Sequence, residues 1–390
     1  RPRRIEAVIE EFAGREFAAD FWKKFRSTYI TEEDIRYLAE LGYNSVRIPL
    51  NSRLFLSEES EEVQFLEEGF GLVDDCIAWC KKYGLYVFLD LHGAPGGQTG
   101  ANIDDSRDDL PRLFMEQKYF DRGIALWEEI ARHYKDEWIV GGYDLLNEPI
   151  RPKRFDSDTD VDDLLPRLEE FYEKAIEAVR KIDKRHLFTL EGHHWASDAS
   201  IFHKKYDEKM VIHFHRYGCL PDISCYREFM DISQKLDCPL WLGETGENVT
   251  EWFTAMYPLA AELSIGYNLW PFKKMETANS PCSIKRPEGW ELLIDYANGG
   301  EHPGYGKARE ILEEYLENIK LANCERRLEV TKAAFRQPGC VIRGTDFDQF
   351  PGKGISCSGI FPEENSYGYR TGMGMEIKNR FPDYKQESGF

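Results

Sequence analysis

Two glutamates lie where apolar, strand-like segments end, and together they could act as a catalytic pair. Glu148 belongs to the segment LLNEP and Glu244 to the segment WLGETG. Burying an isolated carboxylate is energetically unfavourable, so a pair in such positions calls for a functional reason. Glycoside hydrolysis provides one, because one carboxylic acid protonates the leaving oxygen while a second attacks the anomeric carbon or activates water. A structural ion pair is the alternative interpretation.

Further polar and aromatic residues share this placement near the ends of strand-like segments. They are Arg47, His92, Asn147, Glu191, His215, Tyr217 and Trp270. The charge of Arg47 could keep one carboxylate ionised, and His215 could share the proton of the other. Trp195 follows the apolar segment 186–193 and could stack on a sugar face. His213 and His215 have the spacing of two metal ligands, but no third ligand is evident, so no metal site is predicted.

Seven apolar segments alternate with amphipathic ones, which predicts a repeated helix–strand unit. The predicted strands are 44–50, 86–93, 142–149, 186–193, 210–217, 239–246 and 265–272. Their nearly continuous apolar character is typical of parallel strands that are buried on both faces. Residues 5–26 predict an amphipathic helix that is interrupted near Gly14. Thr31 and Asp34 predict the capped start of a helix that ends at Gly42.

Such alternation is compatible with a doubly wound sheet or with a barrel. A dinucleotide-binding doubly wound fold should carry a GxGxxG turn after its first strand, and this chain has none. In a barrel the carboxyl ends of all strands meet at one mouth, where active sites lie. We therefore expect an α/β protein with a (β/α)₈ TIM barrel. Facing strand ends could then hold the two carboxyl groups about 5 Å apart, as a retaining glycosidase requires.

Six short motifs, in this order, resemble glycoside hydrolase family five, the cellulase superfamily of (β/α)₈ enzymes. They are SVRIPL (45–50), LDLHGAPGG (89–97), LLNEP (145–149), HFHRY (213–217), LGETG (242–246) and LW (269–270). The segment DLHGAPGGQTG is most similar to the branch that contains exo-β-1,3-glucanases. The resemblance covers roughly residues 1–320.

This resemblance implies that Glu148 is the acid/base and Glu244 the nucleophile of a retaining β-glycoside hydrolase acting on a β-glucan or β-glucoside. For the other matching positions it implies contacts with the nucleophile (Arg47, Tyr217), the sugar 2-hydroxyl (Asn147) and the −1 sugar (His92, His215, Trp270). It implies no metal or organic cofactor. An endo-β-1,4-glucanase or mannanase, and a non-catalytic carbohydrate-binding protein, remain alternatives.

The sequence departs from the family pattern at both ends. The family's first strand is not visible ahead of residues 1–30, and seven strands cannot close an eight-stranded barrel. We expect a catalytic domain over 1–320 and a small β-rich extension over 321–390. The extension resembles the start of a β-sandwich carbohydrate-binding module through Asp346, Phe347, Asp348, Gly354, Tyr369 and Arg370. A wrap packed onto the barrel, or an extension without a binding role, would also fit.

The amino-acid composition limits the classes of molecule that this chain is expected to bind. The 70 acidic and 50 basic side chains give a net charge of −20, which disfavours nucleic acid and anionic membranes as partners. No segment has the roughly 18 apolar residues of a membrane span. The nine cysteines lack CxxC spacing and predict reduced thiols, so the cytoplasm is favoured over secretion, although localisation stays open. We expect a monomer whose partner is a β-glucan or oligosaccharide substrate.

Several aromatic and charged residues are assigned to the scaffold instead of the site. Core positions are expected for Trp22, Trp79, Trp127, Trp138 and Trp241. Lys273, Lys274 and Glu276 follow the last predicted strand and fit a solvated loop better than the mouth of the barrel.

Overall fold

The computed structural model describes residues 1–153, 161–348, 369–371 and 373. Its centre is a seven-stranded parallel sheet in which the spatial order of the strands follows the chain. The strands are β1 (Ser45–Asn51), β2 (Tyr86–Gly93), β3 (Val140–Asp144), β4 (Leu187–Glu191), β5 (Met210–Arg216), β6 (Leu240–Gly246) and β7 (Gly266–Trp270).

Helices precede and follow these strands, as a (β/α) barrel requires. In the described part of the chain they are α1 (Pro2–Ala13), α2 (Arg15–Thr28), α3 (Glu32–Leu41), α4 (Glu67–Tyr83), α5 (Arg112–Met115), α6 (Gln117–Tyr134), α7 (Val161–Ile182), α8 (His193–Ala196), α9 (Arg227–Leu236), α10 (Thr250–Glu262), α11 (Trp290–Ala297), α12 (Tyr305–Asn318) and α13 (Leu328–Ala334). None of these helices has both the length and the apolar character that crossing a membrane requires.

The predicted local signals act as expected at the start of the chain. Gly14, with φ 87°, separates α1 from α2. The capping box at α3 is present, since the backbone N–H and the hydroxyl of Thr31 both donate to Oδ2 of Asp34 at 2.9 Å. Gly42 ends α3 in the left-handed conformation.

The inner strands β2 to β6 are largely buried, as their apolar runs predict, whereas the edge strands β1 and β7 are mostly half-buried. Val87, Leu89 and Leu91 of β2, and Ile212 and Phe214 of β5, have no exposed surface. They belong to one large core between the sheet and its surrounding helices. Burial of this apolar surface curves the sheet around a common axis and aims all seven carboxyl ends in one direction.

The barrel is open between its first and last strands. In the described residues β1 pairs only with β2, and β7 pairs only with β6. A cavity of about 760 Å³ is lined by both edge strands, among others by Val46, Ile48 and Leu269, and it reaches Arg47 and Trp270 at the mouth. The predicted (β/α) barrel architecture is therefore confirmed, with seven strands in the described chain and a gap beside the mouth.

A second apolar cluster is separate from the main core of the barrel. It joins α1, α2 and α12 to a small sheet of β8 (Lys273–Met275), β9 (Cys282–Ile284) and β10 (Glu325–Arg326). Lys273 does not lie in a solvated loop, because its ammonium is fully buried 2.6 Å from Oδ1 of Asp34. Trp138 contradicts the predicted core position, since it is 50% exposed.

The described part of the tail contacts the barrel directly. Arg370 is fully buried and donates from Nη2 to the carbonyl of Pro221 at 2.9 Å and to that of Ala255 at 3.2 Å. The hydroxyl of Tyr369 donates to Oδ1 of Asp346 at 3.0 Å. These contacts favour a tail packed onto the barrel, while Gly354 lies outside the described residues. The division of the chain near residue 320 stays a prediction.

Candidate active site

The predicted catalytic residues meet at the carboxyl ends of the strands. The backbone register of β5 against β6 places His215 opposite Glu244, and β4 against β5 places Glu191 opposite His213. One carboxylate oxygen of Glu148, one of Glu244 and one ring nitrogen of His215 all lie within 4.8 Å of one another. Glu148 and Glu244 therefore face each other across a space narrow enough for direct attack on a bound sugar.

Glu244 is held as an ionised carboxylate. Arg47 donates from Nη1 to Oε2 at 2.7 Å, and the hydroxyl of Tyr217 donates to Oε1 at 2.7 Å. Burial opposes ionisation, but the charges of His215, Arg47 and His92 and the Tyr217 hydrogen bond outweigh it and lower the pKa of Glu244 to about 2. This side chain is suited to act as a nucleophile.

The pKa of Glu148 is shifted in the opposite direction. Burial raises the pKa of its carboxyl, and the neighbouring charges of Glu244 and Glu191 raise it further, against the lowering effect of His215. Oε1 of Glu148 lies 2.8 Å from Nδ1 of His215, and the side chain keeps 13% of its surface exposed toward the mouth. A carboxyl whose pKa is raised and that has access to solvent is suited to act as a general acid.

The surroundings of two histidines favour their charged forms. Burial lowers the pKa of His215, but Glu191 and Glu244 outweigh burial and raise it well above its ordinary value. His92 behaves in the same way because Nδ1 lies 2.8 Å from Oδ2 of Asp90. Both imidazoles therefore favour an ionised Glu244.

Arg47 connects the two halves of the site. Its side chain is 4% exposed, and Nε donates to Oδ2 of Asp144 at 2.7 Å. Nη2 donates to Oδ1 of Asn147 at 2.9 Å and to Oε1 of Glu191 at 3.0 Å. Because a guanidinium is planar and permanently charged, this set of acceptors fixes its orientation toward Glu244.

The remaining predicted contacts form one wall of the mouth. Nδ2 of Asn147 lies 3.3 Å from Nε2 of His92, and the imidazole of His92 is stacked on the indole of Trp270 with 5.5 Å between centroids. Trp270 is half-buried at the end of β7 and also lines the cavity between the two edge strands.

Trp195 lies in the turn that follows β4, on the same side of the sheet as Glu148. His194 and Trp195 adopt positive φ values of 53° and 57°. The backbone N–H of His194 donates to the carbonyl of Ile150 at 2.7 Å, which joins this turn to the loop after β3. Trp195 is therefore placed at the rim, and its contact with sugar stays a prediction.

Comparison with known proteins agrees with this geometry. The family model described as Cellulase (glycosyl hydrolase family 5) matches residues 7–276, more than half of the chain. The chain belongs to glycosyl hydrolase family 5.

Curated relatives of this family 5 chain carry several activities in their names. It is 35% identical over 198 residues to a beta-xylosidase of Phanerodontia chrysosporium, covering 51% of the chain and 39% of that relative. It is 31% identical over 224 residues to a glucan 1,3-beta-glucosidase of Kluyveromyces lactis, covering 56% and 48%. It is 25% identical over 318 residues to endoglucanase C of Acetivibrio thermocellus, covering 66% and 88%. The chain thus spans less than half of the first two relatives.

Solved structures support the fold. Endoglucanase Cel5A from Thermotoga maritima superposes with a TM-score of 0.51 at 19% identity, over 62% of this chain and 82% of that one. A second glycoside hydrolase superposes with a TM-score of 0.52 at 21% identity, over 69% and 93%. At these identities the likeness establishes the barrel fold alone.

Two buried polar residues of the site, Asp90 and Asp144, were not predicted as part of it. Asp90 and Asp144 sit fully buried inside β2 and β3, and both contact Arg47. Glu191 and His213 complete the network, with Nδ1 of His213 3.1 Å from Oδ1 of Asp144. The available signal was a single aspartate within each apolar run, since a buried charge implies a partner.

The structure places Glu191 beside His213 and His215, where it could serve as the third metal ligand that was not evident from the sequence. Their donor atoms lie within 4.8 Å of one another, a spacing that a divalent cation could use. The same Oε1 of Glu191, however, accepts a hydrogen bond from Arg47, and His215 is held in its charged form. Two positive groups at these atoms oppose cation binding, so the arrangement fits a hydrogen-bond network better than a metal site.

Proposed function

We propose that this chain carries the catalytic centre of a retaining β-glycoside hydrolase that acts on a β-glucan or a β-glucoside. The observation that supports it best is the facing pair Glu148 and Glu244, whose carboxylate oxygens lie within 4.8 Å and whose pKa values are shifted in opposite directions. Retaining enzymes place their two carboxyl groups about 5 Å apart, whereas inverting enzymes leave room for a water between them.

The proposed reaction has two steps. Ionised Glu244 attacks the anomeric carbon, the glycosidic C–O bond breaks, and Glu148 gives its proton to the leaving oxygen. Ionised Glu148 then takes a proton from water, the water oxygen attacks the anomeric carbon, and the bond to Glu244 breaks. Arg47 and Tyr217 keep Glu244 oriented throughout.

Sugar binding is assigned to the wall beside this pair. Trp270 offers a half-buried indole face, which suits the apolar face of a pyranose ring. The imidazole of His92, which stacks on Trp270, and the amide of Asn147 beside it are polar groups that could reach sugar hydroxyls. Trp195 at the rim would contact a neighbouring sugar unit.

The choice of glucan linkage rests on the relatives. A glucan 1,3-beta-glucosidase and an endoglucanase are both similar to this chain, which supports a β-glucan substrate and keeps an endo-β-1,4-glucanase or a mannanase as the alternative. A non-catalytic carbohydrate-binding protein is the second alternative, because the gap between β1 and β7 borders Arg47 and Trp270.

One experiment separates these possibilities. The chain is incubated with laminarin, carboxymethyl cellulose and mannan, and the products are resolved by chromatography. Release of glucose alone from laminarin is the expected result, whereas mixed oligomers from either other polymer would favour the endo-acting alternative. Binding to laminarin by calorimetry without any reducing sugar, from a chain whose circular dichroism shows a folded barrel, would overturn the proposed hydrolysis.

A further inference from the structure

Glu191 is a buried carboxylate at the end of β4 that the proposed reaction does not use. Its side chain has no exposed surface, so it cannot touch a sugar in the mouth. Both of its oxygens nevertheless accept hydrogen bonds, one from Arg47 and one from the backbone of Glu148. A buried carboxylate whose two oxygens accept hydrogen bonds from different parts of the active site is expected to position those parts.

One oxygen of Glu191 holds the backbone of Glu148. Oε2 accepts a hydrogen bond from the backbone N–H of Glu148 at 2.6 Å. Glu148 adopts φ 43°, a left-handed conformation that a residue with a β-carbon rarely takes. Such a conformation persists only where neighbouring groups hold it. The hydrogen bond from Glu148 to Glu191 is a contact of that kind.

The other oxygen faces the groups that hold the nucleophile. Oε1 of Glu191 accepts from Nη2 of Arg47 at 3.0 Å, and Arg47 also donates to Glu244 at 2.7 Å. The same Oε1 lies 3.2 Å from Nδ1 of His213 and 3.5 Å from Nε2 of His215. His215 in turn contacts the carboxyl of Glu148.

We propose that Glu191 is a positioning residue that fixes the backbone and the proton-transfer geometry of Glu148 relative to Glu244. This inference rests on the proposed glycosidase function and names a residue for it that does not contact substrate. Glu191 does so by joining the Glu148 backbone to Arg47 and to His215 through one rigid carboxylate.

Glutamine cannot take over this role, although it has the same shape. Both ends of Glu191 accept hydrogen bonds, from a backbone N–H on one side and from a guanidinium on the other. An amide offers one acceptor and one donor group. In Glu191→Gln either the Glu148 N–H or Arg47 must therefore face an NH₂ group, and the buried donor left unpaired disturbs the site.

The test compares two substrates that differ in their need for an acid. An alkyl β-glucoside needs its leaving oxygen protonated, whereas 2,4-dinitrophenyl β-glucoside has a leaving group that departs as an anion. The measured quantity is kcat/KM, which reports the first step for both. Because general acid catalysis contributes about 10²–10⁴-fold, Glu191→Gln should lower kcat/KM at least about 10²-fold for the alkyl glucoside and less than about 5-fold for the dinitrophenyl glucoside.

Asp183→Asn is the matched control. Asp183 is also a fully buried carboxylate, and it contacts Nδ1 of His186 at 2.5 Å and the hydroxyl of Tyr143 at 2.7 Å. It precedes β4, at the end of the sheet opposite to the mouth. This variant should lower thermal stability without separating the two substrates. An equal loss on both substrates for Glu191→Gln would overturn the inference while leaving the glycosidase function in place.

A second measurement does not depend on turnover. Crystal structures of the wild type and of Glu191→Gln should show that Glu148 leaves its positive φ and that its carboxyl moves away from His215. If the two structures superpose at Glu148, the inference is wrong, whatever the activity. If the wild type hydrolyses neither glucoside yet Glu148 moves in the variant, the proposed function fails and the positioning contact stands.

Discussion

The hydroxyl of Tyr217 donates a hydrogen bond of 2.7 Å to Oε1 of Glu244. Arg47 donates to the other oxygen of the same carboxylate at the same distance. Together with the charge of His215, which is the largest lowering effect, both donors favour the ionised form of Glu244 against its burial. Removing one of the two donors should therefore change both the orientation of the nucleophile and its proton affinity.

Tyr217→Phe removes only the hydroxyl. A hydrogen bond to a charged group contributes about 1.5–3 kcal/mol, so we expect kcat/KM to fall about 10- to 100-fold. The acid limb of the pH profile should also move upward, because Glu244 then ionises less readily. Steady-state kinetics between pH 2 and 8 measure both effects.

Tyr226→Phe is the control for this variant. Its hydroxyl is fully buried and donates to the carbonyl of Met256 at 3.1 Å, away from either glutamate. Its loss should reduce stability without moving the acid limb. If Tyr226→Phe and Tyr217→Phe shift the limb equally, the Tyr217 contact does not set the state of Glu244.

The wild-type pH profile follows from the two shifted carboxyl groups. Glu244, with a pKa of about 2, is ionised at any pH above that value, so activity should fall on the acid side only near it. The pKa of Glu148 is raised, so its proton is retained at low pH and lost as the pH rises through the raised value. Activity on an alkyl β-glucoside should fall on that alkaline side, and kcat/KM against pH measures it.

The leaving group provides an internal check on this assignment. A dinitrophenyl β-glucoside needs no proton from Glu148, so its kcat/KM should lack the alkaline limb that belongs to that acid. A limb of the same midpoint on both substrates would assign it to another group.

Removal of each glutamate separates their roles. Glu244→Gln should abolish turnover, because an amide cannot attack the anomeric carbon. Glu148→Ala should lose activity on alkyl glucosides. On a dinitrophenyl glucoside, added azide should restore turnover of this variant, since azide needs no general base. The expected product is a β-glucosyl azide, identified by NMR. An α-configured azide, or residual turnover in Glu244→Gln, would contradict the retaining assignment.

Gly243 lies in β6, next to Glu244, where the strand backbone closely approaches His213. A β-carbon added at this position would lie 2.0 Å from Nε2 of His213, which leaves no room for it. Gly243→Ala should therefore displace His213 and, through the 3.0 Å contact between the two imidazoles, His215. We expect kcat/KM to fall at least about 10-fold, in line with the loss of a well-oriented proton-transfer partner. Gly71→Ala, where nothing lies within 4 Å, is the control.

Local signals were sufficient to predict most of the scaffold. The breaks at Gly14 and Gly42 and the capping box of Thr31 depend on neighbouring residues alone, so the sequence specifies them. The third strand was less well predicted, as it ends at Asp144 and not at residue 149. Glu148 lies beyond the strand because its positive φ is incompatible with continued pairing.

Partners that come from distant segments could not be predicted in this way. Asp90 and Asp144 look like isolated charges until the sheet brings Arg47 between them. Trp138 looks like a core residue by type. It lies just before the amino end of β3, however, and is half exposed. Such outcomes depend on which elements meet, and this information is not contained in local sequence patterns.

Two adjacent lysines, one buried and one exposed, are expected to contribute very differently to stability. Lys273 is fully buried against Asp34 and also donates to the carbonyls of Tyr29 and Ile319 at 2.7 and 3.0 Å. Lys273→Met leaves the Asp34 carboxylate buried without its cation, which should lower the free energy of unfolding by about 3–5 kcal/mol. Lys274 pairs with Glu247 at an exposed site, so Lys274→Met should change it by no more than about 1 kcal/mol. Urea denaturation monitored by tryptophan fluorescence measures both, and equal effects would show that the buried pair does not anchor β8 to α3.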